Sequence, residues 1–391
     1  MWRIIVEKGS QKGLKVNING DGSFTIGRQN TNKLALEDMQ ISRKHCRLTS
    51  KDGRLFIEDL NSSHGTVVNY EKVSKKELCS NDLIFLGDTE LWVVGGEPDL
   101  FLGKNIYGYM FHFLLGRGGQ GVVYLAEQVN LQRTVAVKVL NKDLCDDQKY
   151  RDSFISEAKL AAALNHENLI GIYDIYDQDG IVFFSMEHMS GGSIADVISS
   201  SGKIAIADCI TYLLQAARGL DHIHSKGYIH KDIKPGNLMI AGDGVLKIGD
   251  FGITSSDNKK NKGVVLGSPH YMSPEHILNK TMDTRSDLYS LGCSAYRMMT
   301  GKLPFTGKSI KEIVTAHLRE KAPSFKGIDK NLNTKTAVVL DKLLNKSPEH
   351  RYSTAKEFID SLEDSLSTSS TKKKKKSSSH GLHKKKIYRR R

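Results

Sequence analysis

Two short polar runs constrain this 391-residue chain more than anything else in it. The first reads Tyr228-Ile-His-Lys-Asp-Ile-Lys-Pro-Gly-Asn237. The second, Asp250-Phe-Gly252, begins thirteen residues after Asn237. Together they supply an aspartate, a lysine, an asparagine and a second aspartate, the groups that phosphoryl transfer from ATP requires. Asp232 would accept the proton of an attacking hydroxyl, and Lys234 would neutralise charge on the phosphoryl in transit. Asn237 and Asp250 would offer oxygen ligands to Mg²⁺, a hard cation.

Composition narrows the class. Hydrophobic content of 39% and charged content of 26% are ordinary for globular protein, and the length leaves room for two or three domains. A net charge of +13 reads at first as a nucleic-acid binder, but residues 372–391 hold eleven Lys or Arg and no acid, which leaves only about +2 elsewhere. No apolar run approaches the ~18 residues that span a bilayer. The N-terminus lacks the apolar core and cleavage site of a signal peptide. Cysteines 46, 79, 145, 209 and 293 are scattered and never in Cys-x-x-Cys spacing. Buried free thiols in a reducing compartment follow, and a soluble, cytoplasmic protein is expected.

The chain divides into three segments. Residues 1–97 read as all-β, with short strands expected at 15–18, 24–26, 46–49, 55–58, 83–86 and 91–94. Asn19-Gly20, Asp21-Gly22 and Asp52-Gly53 are turn formers, the last placed as in a hairpin. Such a density of short strands suggests a sandwich. From about 106 the pattern mixes strands with one helix at 150–164, marked by Phe154, Ala158, Ala161 and Ala162. Beyond Ser193 helices dominate and loops carry the motifs. Residues 363–391 are rich in Ser, Lys and Arg and are expected to be a disordered tail.

Further runs surround the opening pair. Leu115-Gly-Arg-Gly-Gly-Gln-Gly-Val-Val123 fits Gly-x-Gly-x-x-Gly-x-Val, with glycines at 116, 118 and 121 whose missing Cβ atoms let backbone approach phosphates. Alone it suits a Rossmann turn or a plain loop equally. Val135-Ala-Val-Lys138 puts a lysine seventeen residues after Gly121 on an expected strand, and Glu157 on the helix offers it a carboxylate. Phe183-Phe-Ser-Met-Glu-His-Met189, Gly267-Ser-Pro-His-Tyr-Met-Ser-Pro-Glu275, Arg285-Ser-Asp-Leu-Tyr-Ser-Leu-Gly292 and Arg351 follow in order.

In that order these runs resemble the eukaryotic-type protein kinases, their bacterial members above all. The resemblance implies a bilobal α+β kinase fold over 109–362, joined by a short linker at 98–108. It implies ATP bound by Leu115, Gly116, Gly118, Gly121, Val123, Ala136, Lys138, Glu187 and Met189, with Met186 as gatekeeper. Catalysis would rest on Asp232, Lys234, Lys138 and Glu157, and Mg²⁺ on Asn237 and Asp250. Asp287 would brace the catalytic loop, and Arg351 would pair with Glu275. Lys234 and Ser268 imply serine and threonine hydroxyls of protein substrates. The rival, an inactive scaffold, would be expected to lack Lys138, Asp232 or Asp250, and all three are present.

Two departures concern control. Lys231 stands where the family usually has an arginine that grips an activation-loop phosphate bidentately, and lysine is only a point charge. Between 253 and 266 the hydroxyls are Thr254, Ser255 and Ser256 alone. Activation without a phosphate at the usual loop position is therefore expected.

In the β-rich segment, Gly27-Arg28, Ser42-Arg-Lys-His45 and Asp59-Leu-Asn-Ser-Ser-His-Gly-Thr-Val-Val-Asn69 resemble a forkhead-associated (FHA) domain, a sandwich that binds phosphothreonine peptides on its loops. The resemblance implies phosphate contacts from Arg28, Ser42 and Arg43, and peptide contacts from Ser63 and His64. A dianionic phosphate suits guanidinium and hydroxyl donors. His64 replaces the usual asparagine, and His45 is expected to pack rather than touch ligand. Partners would be phosphothreonine-containing proteins. For the tail three readings remain: a solvated segment, an anionic-polymer or membrane contact, or autophosphorylation at Thr368 and Thr371 read by another copy's FHA domain. The oligomeric state is not legible.

Overall fold

The structure, a computed structural model, describes residues 2–376 apart from 70, 79, 81, 96–99, 118–119, 251–253, 256–267 and 308. Two compact units divide the chain, Met1–Leu102 and Gly103–Arg391.

In the first unit, alternation of apolar and polar residues produces strands with one inward face, because successive side chains point to opposite sides. Trp2, Ile4 and Val6 are buried along Trp2–Lys8, and the residues between them are less so. That strand lies between Lys15–Ile18 and Thr89–Gly95 in a six-stranded sheet completed by Leu83–Leu86, Thr66–Val68 and Glu71–Val73. A five-stranded sheet runs in the order Leu34–Ala35, Gly22–Gly27, Cys46–Lys51, Arg54–Asp59, Lys75–Leu78. Ile4, Ile84 and Val93 from the first share one core with Ile26, Leu48 and Ile57 from the second, which makes the expected sandwich. The Asp52-Gly53 hairpin forms between paired Lys51 and Arg54, with φ of 51° and 76° at its two central residues.

The second unit opens on an antiparallel sheet in the order Asn105–Ile106, Tyr109–Arg117, Gly121–Gln128, Arg133–Leu140, Ile181–Glu187, Ile172–Gln178. The segment expected as linker at 98–108 is partly structured. Asn105 pairs with Met110 and Ile106 with Tyr109 around a Tyr107-Gly108 turn, both residues at positive φ. The expected helix runs Gln148–Ala163, its first turn capped by the Asp147 carboxylate accepting from Lys149 N. Phe154, Ala158 and Ala161 are buried as expected, whereas Ala162, one step (about 100°) further round the helix, is exposed.

Helices Ile194–Ser201, Ile206–Ser225, Thr284–Thr300, Ile310–Arg319, Thr334–Leu343 and Ala355–Lys376 build most of the remainder. Thr284–Thr300 is buried along most of its length, the mark of a helix at the centre of a core. The final helix corrects the boundary of the tail: it passes 362 without a break and continues to Lys376. Ser365 is buried there, its hydroxyl 2.8 Å from Thr336 Oγ1 and donating to Leu362 O at 2.7 Å. Residues 377–391 lie outside those described. No described helix is long and apolar enough to cross a membrane.

Candidate functional site

The first polar run leaves the strand Tyr228–Ile229 as a loop and ends in a short 3₁₀ turn, Pro235–Asn237. Asp287, wholly buried on the central helix, fixes this loop. Its carboxylate accepts from His230 N at 2.9 Å and Lys231 N at 2.8 Å, with His224 Nε2 2.8 Å away. Burial pushes the Asp287 carboxyl up, but these donors outweigh it and hold the group below the usual carboxylate range. They also hold Lys231 at φ 68°, a backbone conformation that costs a non-glycine residue about 1 kcal/mol or more. His230 Nδ1 accepts from Asp232 N, so its proton sits on Nε2, 3.2 Å from Gly249 O. Burial keeps that imidazole neutral.

Asp232 Oδ2 accepts from Lys234 Nζ at 2.6 Å and from Asn237 Nδ2 at 3.0 Å. Asn237 Nδ2 also donates to Asp232 O, so these bonds assign the amide and leave Asn237 Oδ1 as the free acceptor. Gly249 N donates to Asn237 O at 2.9 Å and ties the loop to the residue before Asp250. The site thus offers one amide oxygen and one carboxylate, without a dedicated cage. No cluster of three or more His, Cys, Asp or Glu able to hold a metal exists among the described residues. That donor set fits Mg²⁺, which keeps waters and phosphate oxygens in its coordination sphere and needs few protein ligands.

Lys138, on Arg133–Leu140, reaches toward the same place. Its ammonium is 2.7 Å from Asp250 Oδ1 and 3.5 Å from Glu157 Oε1. Desolvation works against the charge on Lys138, but the two carboxylates raise its pKa above the ordinary lysine value. Burial raises the Glu157 carboxyl despite Lys138, and the Lys138 charge holds Asp250 below the usual range against desolvation. Around this lysine the strand register brings Val123 opposite Lys138, Gly116 opposite Val123, and Ala136 opposite Met186. Leu115 is exposed, Ala136 and Met189 are buried, and the Glu187 carboxylate pairs with Lys247 at 2.8 Å. Gly121 has a packing reason beyond phosphate approach: a Cβ there would lie 2.3 Å from Val139 O. Gly118, Phe251 and Gly252 lie outside the described residues, as does most of the 253–266 loop.

Glu275 and Arg351 meet as expected. The guanidinium donates to both carboxylate oxygens at 2.7 and 2.8 Å, and its remaining N–H groups go to the carbonyls of Arg285, Lys346 and Asn345. All five donors are used in a site closed to solvent. Sequence reasoning missed His224 and Lys247, which no local motif marks.

In the first unit the five expected phosphopeptide residues lie on three loops hydrogen-bonded to one another. Arg28 N donates to Ser42 O at 2.9 Å, and Ser63 N donates to Ser42 Oγ at 3.0 Å. His64 Nδ1 lies 2.9 Å from Gln40 O, and Arg43 is exposed. Gly27 permits the first crossing, since a Cβ there would sit 2.5 Å from Arg43 O. The Arg28 guanidinium rests against the sulfur of exposed Met39 at 3.3 Å. His45 is wholly buried: Nδ1 accepts from Ser42 N, which puts the proton on Nε2, 3.1 Å from Gly65 O. Burial lowers its pKa and keeps it neutral, a packing role as expected. Asp59, which the sequence reading left without a role, accepts from Ser62 and Thr66 hydroxyls at 2.6 Å and shapes the third loop.

Comparison with known proteins agrees with this geometry. The protein kinase domain family matches residues 109–362, and the FHA domain family matches 24–87. Serine/threonine-protein kinase PrkC of Bacillus subtilis (strain 168) is 34% identical over 262 residues, 66% of this chain and 40% of that protein. Serine/threonine-protein kinase PknB of Mycobacterium leprae (strain TN) is 38% identical over 256 residues, 62% of this chain and 40% of that protein. The chain therefore spans about two fifths of the length of these curated relatives. The crystal structure of Rad53 1-466 in complex with AMP-PNP matches in fold, with a TM-score of 0.54 and 23% identity over 92% of this chain and 99% of that one. The chain belongs to the protein kinase family, with an FHA domain ahead of the kinase domain.

Proposed function

We propose that this protein transfers the γ-phosphoryl of Mg-ATP to serine and threonine hydroxyls of protein substrates, and that its FHA domain binds phosphothreonine-containing proteins to recruit them or to regulate the kinase. The observation that carries the reading is the Asp232 carboxylate held by Lys234 and Asn237, next to the Lys138–Asp250 pair.

In this reading Asp232 takes the proton of the incoming hydroxyl on the oxygen that Lys234 and Asn237 leave open. Lys234 offsets charge on the phosphoryl as it moves. Lys138 binds α- and β-phosphate oxygens, and Glu157 keeps its ammonium from swinging away. Asn237 and Asp250 hold Mg²⁺, which when bound neutralises charge on the phosphates. Leu115, Val123, Ala136 and the 187–189 backbone enclose the base, while Gly116 and Gly121 bring backbone to the phosphates. Transfer of label from γ-labelled Mg-ATP to protein serine and threonine tests this half of the proposal.

For the FHA domain, Arg28→Ala in the full chain is expected to weaken phosphothreonine-peptide binding by about ten- to hundredfold, the worth of a charge-assisted pair. Titration with a fluorescent peptide reads it, and retained affinity would overturn the assignment. Four described cysteines are buried free thiols, which suits a reducing compartment such as the cytoplasm.

A further inference from the structure

The loops that carry the expected phosphopeptide residues hold side chains of both charges. Gln40 is held by acids: its backbone N–H donates to Asp38 Oδ1 at 2.8 Å and its side-chain amide to Asp88 Oδ2 at 2.6 Å. His64 Nδ1 lies 2.9 Å from Gln40 O. Next to His64 lies Gly65, with φ +82°, where a Cβ would fall 2.2 Å from Lys72 Cε and 2.7 Å from Lys72 Nζ. The Lys72 side chain therefore lies flat across the Gly65 backbone. Strand pairing explains why. Thr66 faces Val73 and Val67 faces Lys72 in the hairpin, so Lys72 and Gly65 are diagonal neighbours on one face. The glycine leaves room for the aliphatic stem, and the exposed ammonium is carried to the loop that holds Ser63 and His64.

We propose that Lys72 is a specificity-determining residue of this domain and selects phosphothreonine peptides with an acidic residue flanking the phosphate on the Gly65 side. This rests on the phosphothreonine reading above. The ammonium lies against Gly65, beside the loop that holds Ser63 and His64, where it would face a bound peptide. A peptide with lysines there is repelled. The chain's own Thr371 has no acid within five residues on either side and five lysines at 372–376, so the favoured partner is a separate acidic phosphoprotein and not the tail of a second copy.

The test titrates the full chain with phosphothreonine peptides of one length, flanked on either side by alanine, aspartate or lysine, and with the phosphorylated 365–376 segment. Wild type is expected to bind the peptide with aspartate on one flank about fivefold tighter than its lysine counterpart, near the upper end for an exposed charge pair. Raised salt should shrink the difference. Lys72→Glu should invert the order, and Lys72→Arg should keep it, which separates charge recognition from damage to the hairpin. Equal affinity for acidic and basic flanks, a preference that survives Lys72→Glu, or tightest binding of the tail peptide would overturn the proposal. Binding no better than to the unphosphorylated peptides would overturn the phosphothreonine reading itself, and this inference with it.

Discussion

Replacing Lys138 with methionine is expected to slow phosphoryl transfer by roughly 10²–10³-fold while the protein remains folded. That is the usual cost of deleting one preorganised group from a transition-state site. Two losses combine. The phosphates lose their cation, and Asp250 and Glu157 lose the charge that lies between them at 2.7 and 3.5 Å. Glu157, already raised by burial, then takes up a proton more readily, and Asp250 loses the partner that holds it below the usual range. The sign follows from Asp250. A depressed carboxylate is ionised down to low pH, and removing Lys138 raises its pKa, so the acid limb of the rate profile should move to higher pH in the variant. Steady-state rates across pH, with nucleotide titration to separate binding from turnover, check both effects. A rate within about threefold of wild type would remove Lys138 from the mechanism.

Arg351→Ala is expected to cost about 3–5 kcal/mol of stability, the toll for leaving a buried carboxylate unpaired. Arg351 is 3% exposed and Glu275 6%, so solvent cannot replace the lost bonds. Three backbone carbonyls lose their donors as well. At roughly 2–4 °C per kcal/mol the melting temperature should fall by about 6–20 °C. Arg351→Lys should recover little, because one ammonium cannot reproduce five donors in a fixed fork. Burial pushes Glu275 up, yet Arg351 holds it below its ordinary value. That part of the stability is present above the unfolded carboxyl pKa, near 4.5, and is lost as pH falls through the depressed one. Calorimetry of the two variants would read both magnitudes, and a shift under about 2 °C for Arg351→Ala would show the pair to be dispensable.

What could be read in the sequence followed from how local its cause was. The catalytic loop was legible because proton abstraction and metal binding need particular residue types at close spacing, and the structure does bring Asp232, Lys234 and Asn237 together. The strand Leu83–Leu86 falls at its expected limits because its four consecutive apolar residues are bounded by turn formers, Asn81-Asp82 before and Gly87-Asp88 after. Less legible were features decided by distant contacts. Tyr107 at positive φ disguised a hairpin as linker, since tyrosine rarely adopts that conformation, and its hydroxyl is held by Asp179 at 2.6 Å. The final helix outran its expected end because Thr336 and Asn333, some thirty residues away, receive Ser365. The lysines that follow are good helix formers, although composition alone marked them as tail. Lys72 was silent for the same reason: only the hairpin register lays it across Gly65.

The most direct test of the kinase assignment pairs the wild-type protein with Asp232→Asn, which preserves the size and most hydrogen bonds of the side chain but removes the base. Both are incubated with γ-labelled Mg-ATP and a protein substrate, and labelled residues are mapped. Wild type should label serine and threonine, and the variant should be slower by roughly 10²–10⁴-fold, the contribution of a positioned general base. Equal labelling by the two proteins, or none by wild type, would contradict the assignment of Asp232 and of phosphoryl transfer to this chain.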